Sequence, residues 1–382
     1  MLFLRPTISS GLLALVALSP QLAKADCECG YRVTIPSNGT NTTLTEPDSS
    51  ISQQYILTDL LETNFANISD VSKNTDWIRQ AFNKTAEQSA GTYGEMMAVD
   101  NIESVLGTGL EITLRGESDL VEGMVQGGEI DSARTDMLYG TFRSSMKLTG
   151  VSGTVSAFFF YFNDSQEIDM EFLSREFITD NATYPVNLVL QSQASEAAGS
   201  ASHTSTFQVI NLSFDPRADF HEYRFDWVPG GVVFLADGAV LAEMNQTGGV
   251  PTHAGHLALN HWSNGNAGWS GGPPASDAVM EVRYLKAYFN SSDTARQSAF
   301  AERCVDSAAA GAVCDIPDVT AGNDTAAGWF FTGQKNMTAN QTVSSDSGIT
   351  GGDTSGGIGR EQEIAWLAMG LTSVVAALVL QL

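Results

Sequence analysis

Basic residues are what this chain most lacks. Its 382 residues include 19 Lys or Arg against 44 Asp or Glu, a formal net charge of -25. Charge of either sign is scarce as well, at 16% of residues, where an average globular chain has roughly 25%. A chain so poor in cations repels phosphate, which excludes binding of nucleic acid or anionic lipid head groups by bulk electrostatics. Metal-ligating residues are thin and scattered. The cysteines form one C-x-C (Cys27, Cys29) and one C-x9-C (Cys304, Cys314) with no His nearby, a poor zinc set. His221, His253, His256 and His261 are spread along the chain and read as surface or core residues rather than ligands. What is present is apolar: 43% of residues are hydrophobic, enough for a real core and against wholesale disorder.

Both ends read as processing signals. Arg5, an apolar run over 11–18 and Ala23-Lys24-Ala25 form a basic flank, a short hydrophobic region and an A-x-A cleavage site, so 1–25 is expected to be a secretory signal peptide. At the other end an uncharged apolar stretch, 364–382, follows a polar spacer and a small-residue region. That order is expected of a GPI-attachment signal, with 358–382 as the tail and attachment between 348 and 355. A tail-anchored helix is the rival reading, disfavoured by the missing basic flank. Twelve N-x-S/T sequons fit a secreted, glycosylated, eukaryotic product. In such a compartment four cysteines imply two disulfides, whose connectivity the spacing leaves open.

Between the ends, 318–357 is rich in Ser, Thr, Gly and Asn and is expected to be a flexible glycosylated stalk. The body is 26–317, with no internal repeat. Helical periodicity appears over 70–85 and 293–305. Elsewhere the pattern is short and strand-like: 110–115, 139–148, 155–162, 167–173, 186–193, 206–212, 221–228, 231–236 and 279–289. Asp237-Gly238 between two apolar runs signals a hairpin. Many short strands without alternating helices predict an all-β, two-sheet antiparallel sandwich with a few short helices.

The sharpest local feature is Glu167-Ile168-Asp169-Met170-Glu171-Phe172. On a strand, alternate side chains share a face, so three carboxylates project together while Ile168, Met170 and Phe172 face the opposite layer. Adjacent acids raise one another's proton affinity at a cost in stability. Such a cost suits a site where two carboxyls work as a pair, as in glycoside hydrolysis. Positions i and i+4 lie about 13 Å apart along an extended strand. Only long side chains leaning together approach the roughly 5–5.5 Å separation of retaining enzymes. Glu at both ends with the shorter Asp between fits that requirement.

E-I-D-M-E-F-L resembles the E-x-D-x-E active-site strand of glycoside hydrolase family 16, whose members include lichenases, laminarinases and plant and fungal cell-wall transglycosylases. Segments 134–159, 220–227 (F-H-E-Y-R-F-D-W), 233–238 (V-F-L-A-D-G) and 257–262 (L-A-L-N-H-W), with W-S-G-G from Trp269, resemble that family's strands in order. Together they cover about 110–290. The resemblance implies a concanavalin A-like β-jelly-roll with a concave cleft and a retaining mechanism. Glu167 would be the nucleophile, Glu171 the general acid/base, and Asp169 the residue that holds the nucleophile's charge state. Without the extra Met of the laminarinase motif, the strand should be regular. Phe159, Tyr161, Trp262 and Trp269 would line the cleft and stack on sugar rings, and Arg134, Asn187 and Gln191 match polar positions beside the catalytic subsite. No cofactor and no metal are implied.

The expected function is that of a retaining, endo-acting β-1,3- or β-1,3/1,4-glucan hydrolase, probing cell-wall polysaccharide as a monomer and touching the membrane only through its anchor. Transglycosylation is the alternative outcome of the same chemistry. A lectin-like binder is the alternative of another class, and the intact Glu/Asp/Glu set argues against it.

Overall fold

The computed structural model describes residues 26–36, 52–198, 201–202, 204–320, 325–334 and 342–343. The leader, the apolar tail and much of the expected stalk lie outside them. Strands are numbered in chain order. A front sheet runs β14 (Phe207–Asn211), β13 (Pro185–Gln191), β12 (Gln166–Leu173), β11 (Val155–Asn163), β18 (His256–Trp262), β9 (Met124–Ser132), β6 (Gly94–Met97) and β5 (Phe82–Lys84), with β4 (Trp77–Arg79) also beside β9. A back sheet runs β17 (Ala239–Met244), β16 (Gly231–Ala236), β15 (His221–Val228), β10 (Met137–Lys147), β19 (Ala278–Ser291), β3 (Asp59–Asn64) and β21 (Thr342–Val343), with β8 (Gly109–Leu114) on β19 and β7 (Ile102–Val105) on β8. The fold is therefore the expected two-sheet sandwich with few helices.

Period-two alternation explains the layering. Phe158 and Phe160 of β11, Ile168, Met170 and Phe172 of β12, and Leu257 and Leu259 of β18 are all but sealed from solvent, against Phe225, Trp227 and Phe142 of the back sheet. The residues between them point to the open face of the front sheet. β12 pairs with β11 without a register break from Glu167 to Leu173, so the strand is regular, as its motif suggested. Asp237 and Gly238 both take positive φ (46° and 76°) in the two-residue turn between β16 and β17, the backbone an I′-type hairpin turn requires. The helix expected at 293–305 is present as α2 (Thr294–Arg303); α1 is Gln193–Ala198. Asp293 caps α2 through the Ala295 N–H.

Three expectations are corrected. The helical period over 70–85 builds no helix: a 3₁₀ turn at Val71–Lys73 leads into β4 and β5. Trp77 is buried there against Phe65 and donates to Thr63 Oγ1, so its packing is cross-sheet rather than along a helix face. Second, part of the segment read as stalk packs on the body. Asp318 pairs with Arg143 and Arg224, Lys286 donates to the Ala326 and Ala327 carbonyls, and Phe331 is buried against Tyr31 and Tyr288. This strap covers charged side chains on the outer face of the back sheet. Third, Arg134 is not beside the catalytic strand, as described below.

The ends of the body are clasped. Of the pairings left open, the structure has Cys27–Cys314 and Cys29–Cys304, spanning 287 and 275 residues. β1 (Tyr31–Pro36) pairs with β2 (Ser52–Leu57) and β20 (Cys314–Asp315) in a small third sheet over the back sheet.

Candidate active site

The open face of the front sheet is a grid of in-register rows. Glu171 of β12 stands between Asn187 of β13 and Ala157 of β11, and Ala157 continues to Asn260 of β18 and Glu129 of β9. The next row is Val189, Asp169, Phe159, Ala258 and Asp131; the third is Gln191, Glu167, Tyr161 and His256. Glu167, Asp169 and Glu171 are only 6%, 5% and 6% exposed. They line one shallow cavity with Phe159, Gln191, Asn260 and Trp262.

Burial pushes all three carboxyls up, because none has a strong cationic partner to offset its desolvation. Asp169 keeps its proton and gives it in a hydrogen bond to Glu167, which draws Glu167 back toward the ionised form. The charge of Lys84, reaching in from β5, acts in the same sense. For Glu171 the Trp269 indole N–H lowers proton affinity and the Glu176 carboxylate raises it. That N–H is buried and makes no hydrogen bond of ordinary geometry among the described residues. Glu167 is pushed up to about 8 and Glu171 to about 7, so both ends of the same short strand are proton-rich, and the site brings together the two carboxyls that attack and proton donation require.

The structure brings Phe159, Gln191 and Trp262 to this cavity and puts Tyr161 and Asn187 on the same face. Tyr161 gives its hydroxyl proton to Asp164 Oδ1 (2.8 Å) and Asn187 Nδ2 donates to Glu176 Oε2 (3.3 Å). Trp269 sits on the 263–277 loop, packed with Trp262 and near Phe207. Arg134 is elsewhere: its guanidinium forks onto Asp136 at 2.6 Å through both nitrogens, lies 3.5 Å from Asp59, and covers the Phe289 ring. Those partners belong to the back sheet and its edge, so the side chain ties strand ends together. Among the histidines, His261 faces the core and bonds the Ile112 carbonyl, His221 pairs with Asp237, and His253 stacks on Phe162.

Several site residues escaped the sequence reading. Arg175 donates to the Ala267 and Gly268 carbonyls, both at 2.7 Å, and so anchors the loop that carries Trp269. A second acidic group, Glu95, Glu129 and Asp131, lies on β6 and β9. Asn260 Nδ2 donates to Glu129 Oε2 (3.0 Å), His256 Nε2 is 3.6 Å from Asp131, and Lys84 is 4.0 Å from Glu95. The alternation that marked 167–171 recurs in Glu129-Ile130-Asp131, but Gly127-Gly128 just before it hid the strand.

These acids make stability depend on pH. Burial pushes Glu95 from its ordinary 4.5 up to about 7 and raises Glu129 and Asp131. Between those limits the folded chain holds protons that the unfolded chain has released, so stability falls as pH rises. The melting temperature is expected to drop between pH 5 and pH 7.5, with a shallower drop in Glu95→Gln. Thermal unfolding of both proteins across that range checks this; a melting temperature that rises with pH contradicts it.

Compared with known proteins, residues 87–284 match the family model described as glycosyl hydrolases family 16. The chain is 32% identical over 139 residues to a β-glucanase of Paenibacillus polymyxa, covering 35% of this chain and 52% of that one. It is 26% identical over 186 residues to Crh-like protein 3 of Botryotinia fuckeliana, covering 44% and 38%. The chain thus spans about half the length of the curated relatives it matches. Among solved structures, a Bacillus licheniformis β-glucanase aligns at 20% identity over 60% of this chain and 98% of its own, with a TM-score of 0.48.

Proposed function

Since the chain belongs to glycosyl hydrolases family 16, we propose that it is a retaining, endo-acting β-glucan hydrolase working on β-1,3 or β-1,3/1,4 linkages. The observation that carries this reading is the row of three buried carboxyls on one face of β12, proton-rich and unpaired with strong cations. In the first step the Glu167 carboxylate attacks the anomeric carbon, the glycosidic C–O bond breaks, and Glu171 gives its proton to the departing oxygen. In the second, water attacks that carbon, Glu171 takes the water's proton, and Glu167 leaves as a carboxylate. Asp169, hydrogen-bonded to Glu167, holds the nucleophile in place and in charge state. Phe159 and Trp262 supply apolar faces for sugar rings, and Gln191 and Asn187 hydrogen-bond their hydroxyls.

A sugar hydroxyl taking the place of water gives transglycosylation, the alternative outcome of the same two-step chemistry. The signal-like leader, the sequons and the two disulfides support secretion. The tail pattern supports a GPI anchor at the cell surface or wall. Product analysis on laminarin, lichenan and defined oligosaccharides tests the reading. Hydrolysis yields progressively shorter products with the β-anomer formed first, and transfer yields redistributed chain lengths. No turnover of any β-glucan sinks it.

A further inference from the structure

Strand β14 is the outer edge of the front sheet. Its alternation puts Val209 and Asn211 on the open face, opposite Asn187 and Pro185 of β13. Between these side chains and the loop after β12 lies a groove of about 570 Å³, lined among others by Arg175, Glu176, Ile178, Thr183, Val209 and Asn211. That volume is of the size that holds a small ligand. The groove shares no lining residue with the cavity of the three acids, so it needs an occupant of its own.

We infer that Asn211 is N-glycosylated and that the first N-acetylhexosamine of its glycan is seated in this groove. The inference rests on the secretion reading given above and is independent of the chemistry at β12. Three observations carry it. First, the acceptor residue is itself part of the groove wall. Asn211-Leu212-Ser213 is a sequon, and Asn211 is exposed. Its Oδ1 accepts from the Tyr184 N–H (2.6 Å) and its Nδ2 donates to the Ala182 carbonyl (3.3 Å). An amide nitrogen has two hydrogens. One of them remains for replacement by a sugar carbon, and a glycan joined there starts in the groove.

Second, the walls have the character of a sugar. Ile178 and Val209 are 49% and 52% exposed although apolar, and a pyranose ring offers C–H faces to such side chains. Its hydroxyls and acetamide meet the charged heads of Arg175 and Glu176. Arg175 is fixed by the Ala267 and Gly268 carbonyls, and Glu176 Oε2 accepts from Asn187. Glu176 Oε1 lies 3.8 Å from the Arg175 guanidinium, beyond hydrogen-bond reach, and so can accept from the sugar. Third, the position calls for cover. An edge strand with exposed apolar side chains invites pairing with another chain, and a glycan is bulky and solubilising.

The attachment balances with a lipid-pyrophosphate-linked oligosaccharide as donor. The bond from the sugar C1 to Nδ2 forms, the C1–O bond to pyrophosphate breaks, the lipid pyrophosphate departs with that electron pair, and the amide gives up one proton.

The test uses the full chain secreted from a eukaryotic host. Mass spectrometry of its peptides reads which sequons carry glycan, and Ser213→Ala, which removes the sequon but leaves the Asn211 amide, identifies the Asn211 signal. Release of that glycan by peptide N-glycosidase is then timed on folded and on reduced, denatured protein. Release from the folded wild type is expected to be at least tenfold slower than from the denatured chain. Val209→Ser and Ile178→Ser, exposed positions on two separate elements, are each expected to speed release from the folded protein at least threefold, with melting retained. Release from folded wild type within twofold of the denatured rate, or a rate that neither wall variant changes, overturns the seat. A bare Asn211 in a protein whose other sequons are occupied overturns the modification itself. Glycan at no sequon overturns the secretion reading as well.

Discussion

Glu167→Gln is expected to lower kcat on laminarin or lichenan by about 10⁴-fold or more, the scale seen when a covalent nucleophile is removed. Gln keeps the size of Glu and the hydrogen-bonding shape of its head, so the side chain still fills the buried position opposite Tyr161 and Gln191. What it loses is the negative charge that attacks the anomeric carbon. The same change relieves a stability cost, because burial already disfavours the Glu167 anion and Glu171 repels it. The variant should therefore melt no lower than wild type at pH 7.5. Loss of activity with retained or raised stability separates a chemical role from a structural one. Asp169→Asn is expected to cost less, on the order of 10²-fold, since the nucleophile stays and the Asn amide can still donate a hydrogen bond to it, but no titratable proton is left to set its charge state. Equal turnover by wild type and Glu167→Gln would contradict the assignment.

The second large effect is on folding. Arg224 lies on the outer face of the back sheet, 3% exposed, and forks onto Asp226, which is fully buried, at 2.7 Å through two nitrogens. It also donates to Asp318 at 2.8 Å. Arg224→Met would leave the Asp226 carboxyl in the interior with its main counter-charge gone, and would remove one of the two arginines that hold Asp318, leaving Arg143. Breaking a buried pair from one side costs about 3–5 kcal/mol. Replacing both partners, as in Arg224→Met with Asp226→Leu, should recover most of that loss, because no unpaired charge then remains. Urea unfolding of the oxidised proteins measures both. A loss under about 1 kcal/mol in the single variant, or a double variant as weak as the single, would count against this account of the back sheet.

Much of the site was legible because strand periodicity is local. Three acids alternating with Ile168, Met170 and Phe172 define which face is wet, and β12 obeys that pattern residue by residue. The hairpin at Asp237-Gly238 and the capped helix from Thr294 are local signals too. What could not be read depends on partners distant in sequence. Trp77 sits in a helix-like apolar spacing, but its burial is set by Phe65 and Thr63 across the sandwich. Arg134 follows the motif's neighbourhood in sequence, yet Asp59 and Asp136 capture it. Asp318 and Phe331 lie in a stretch of stalk-like composition and are retained by charges and rings on the back sheet. Arg175 looks like any surface arginine until the loop some 90 residues away (92 and 93 in sequence separation) closes onto it.

The central claim is that Glu167 forms a covalent bond to the sugar in a retaining reaction. Incubation with an activated 2-deoxy-2-fluoro β-glucan oligosaccharide, which slows release of the intermediate, followed by proteolysis and mass spectrometry, tests it directly. The account requires a stoichiometric glycosyl adduct on the peptide that contains Glu167, absent in Glu167→Gln. An adduct on another residue, or inverted products formed from natural substrate with no adduct at all, would contradict it.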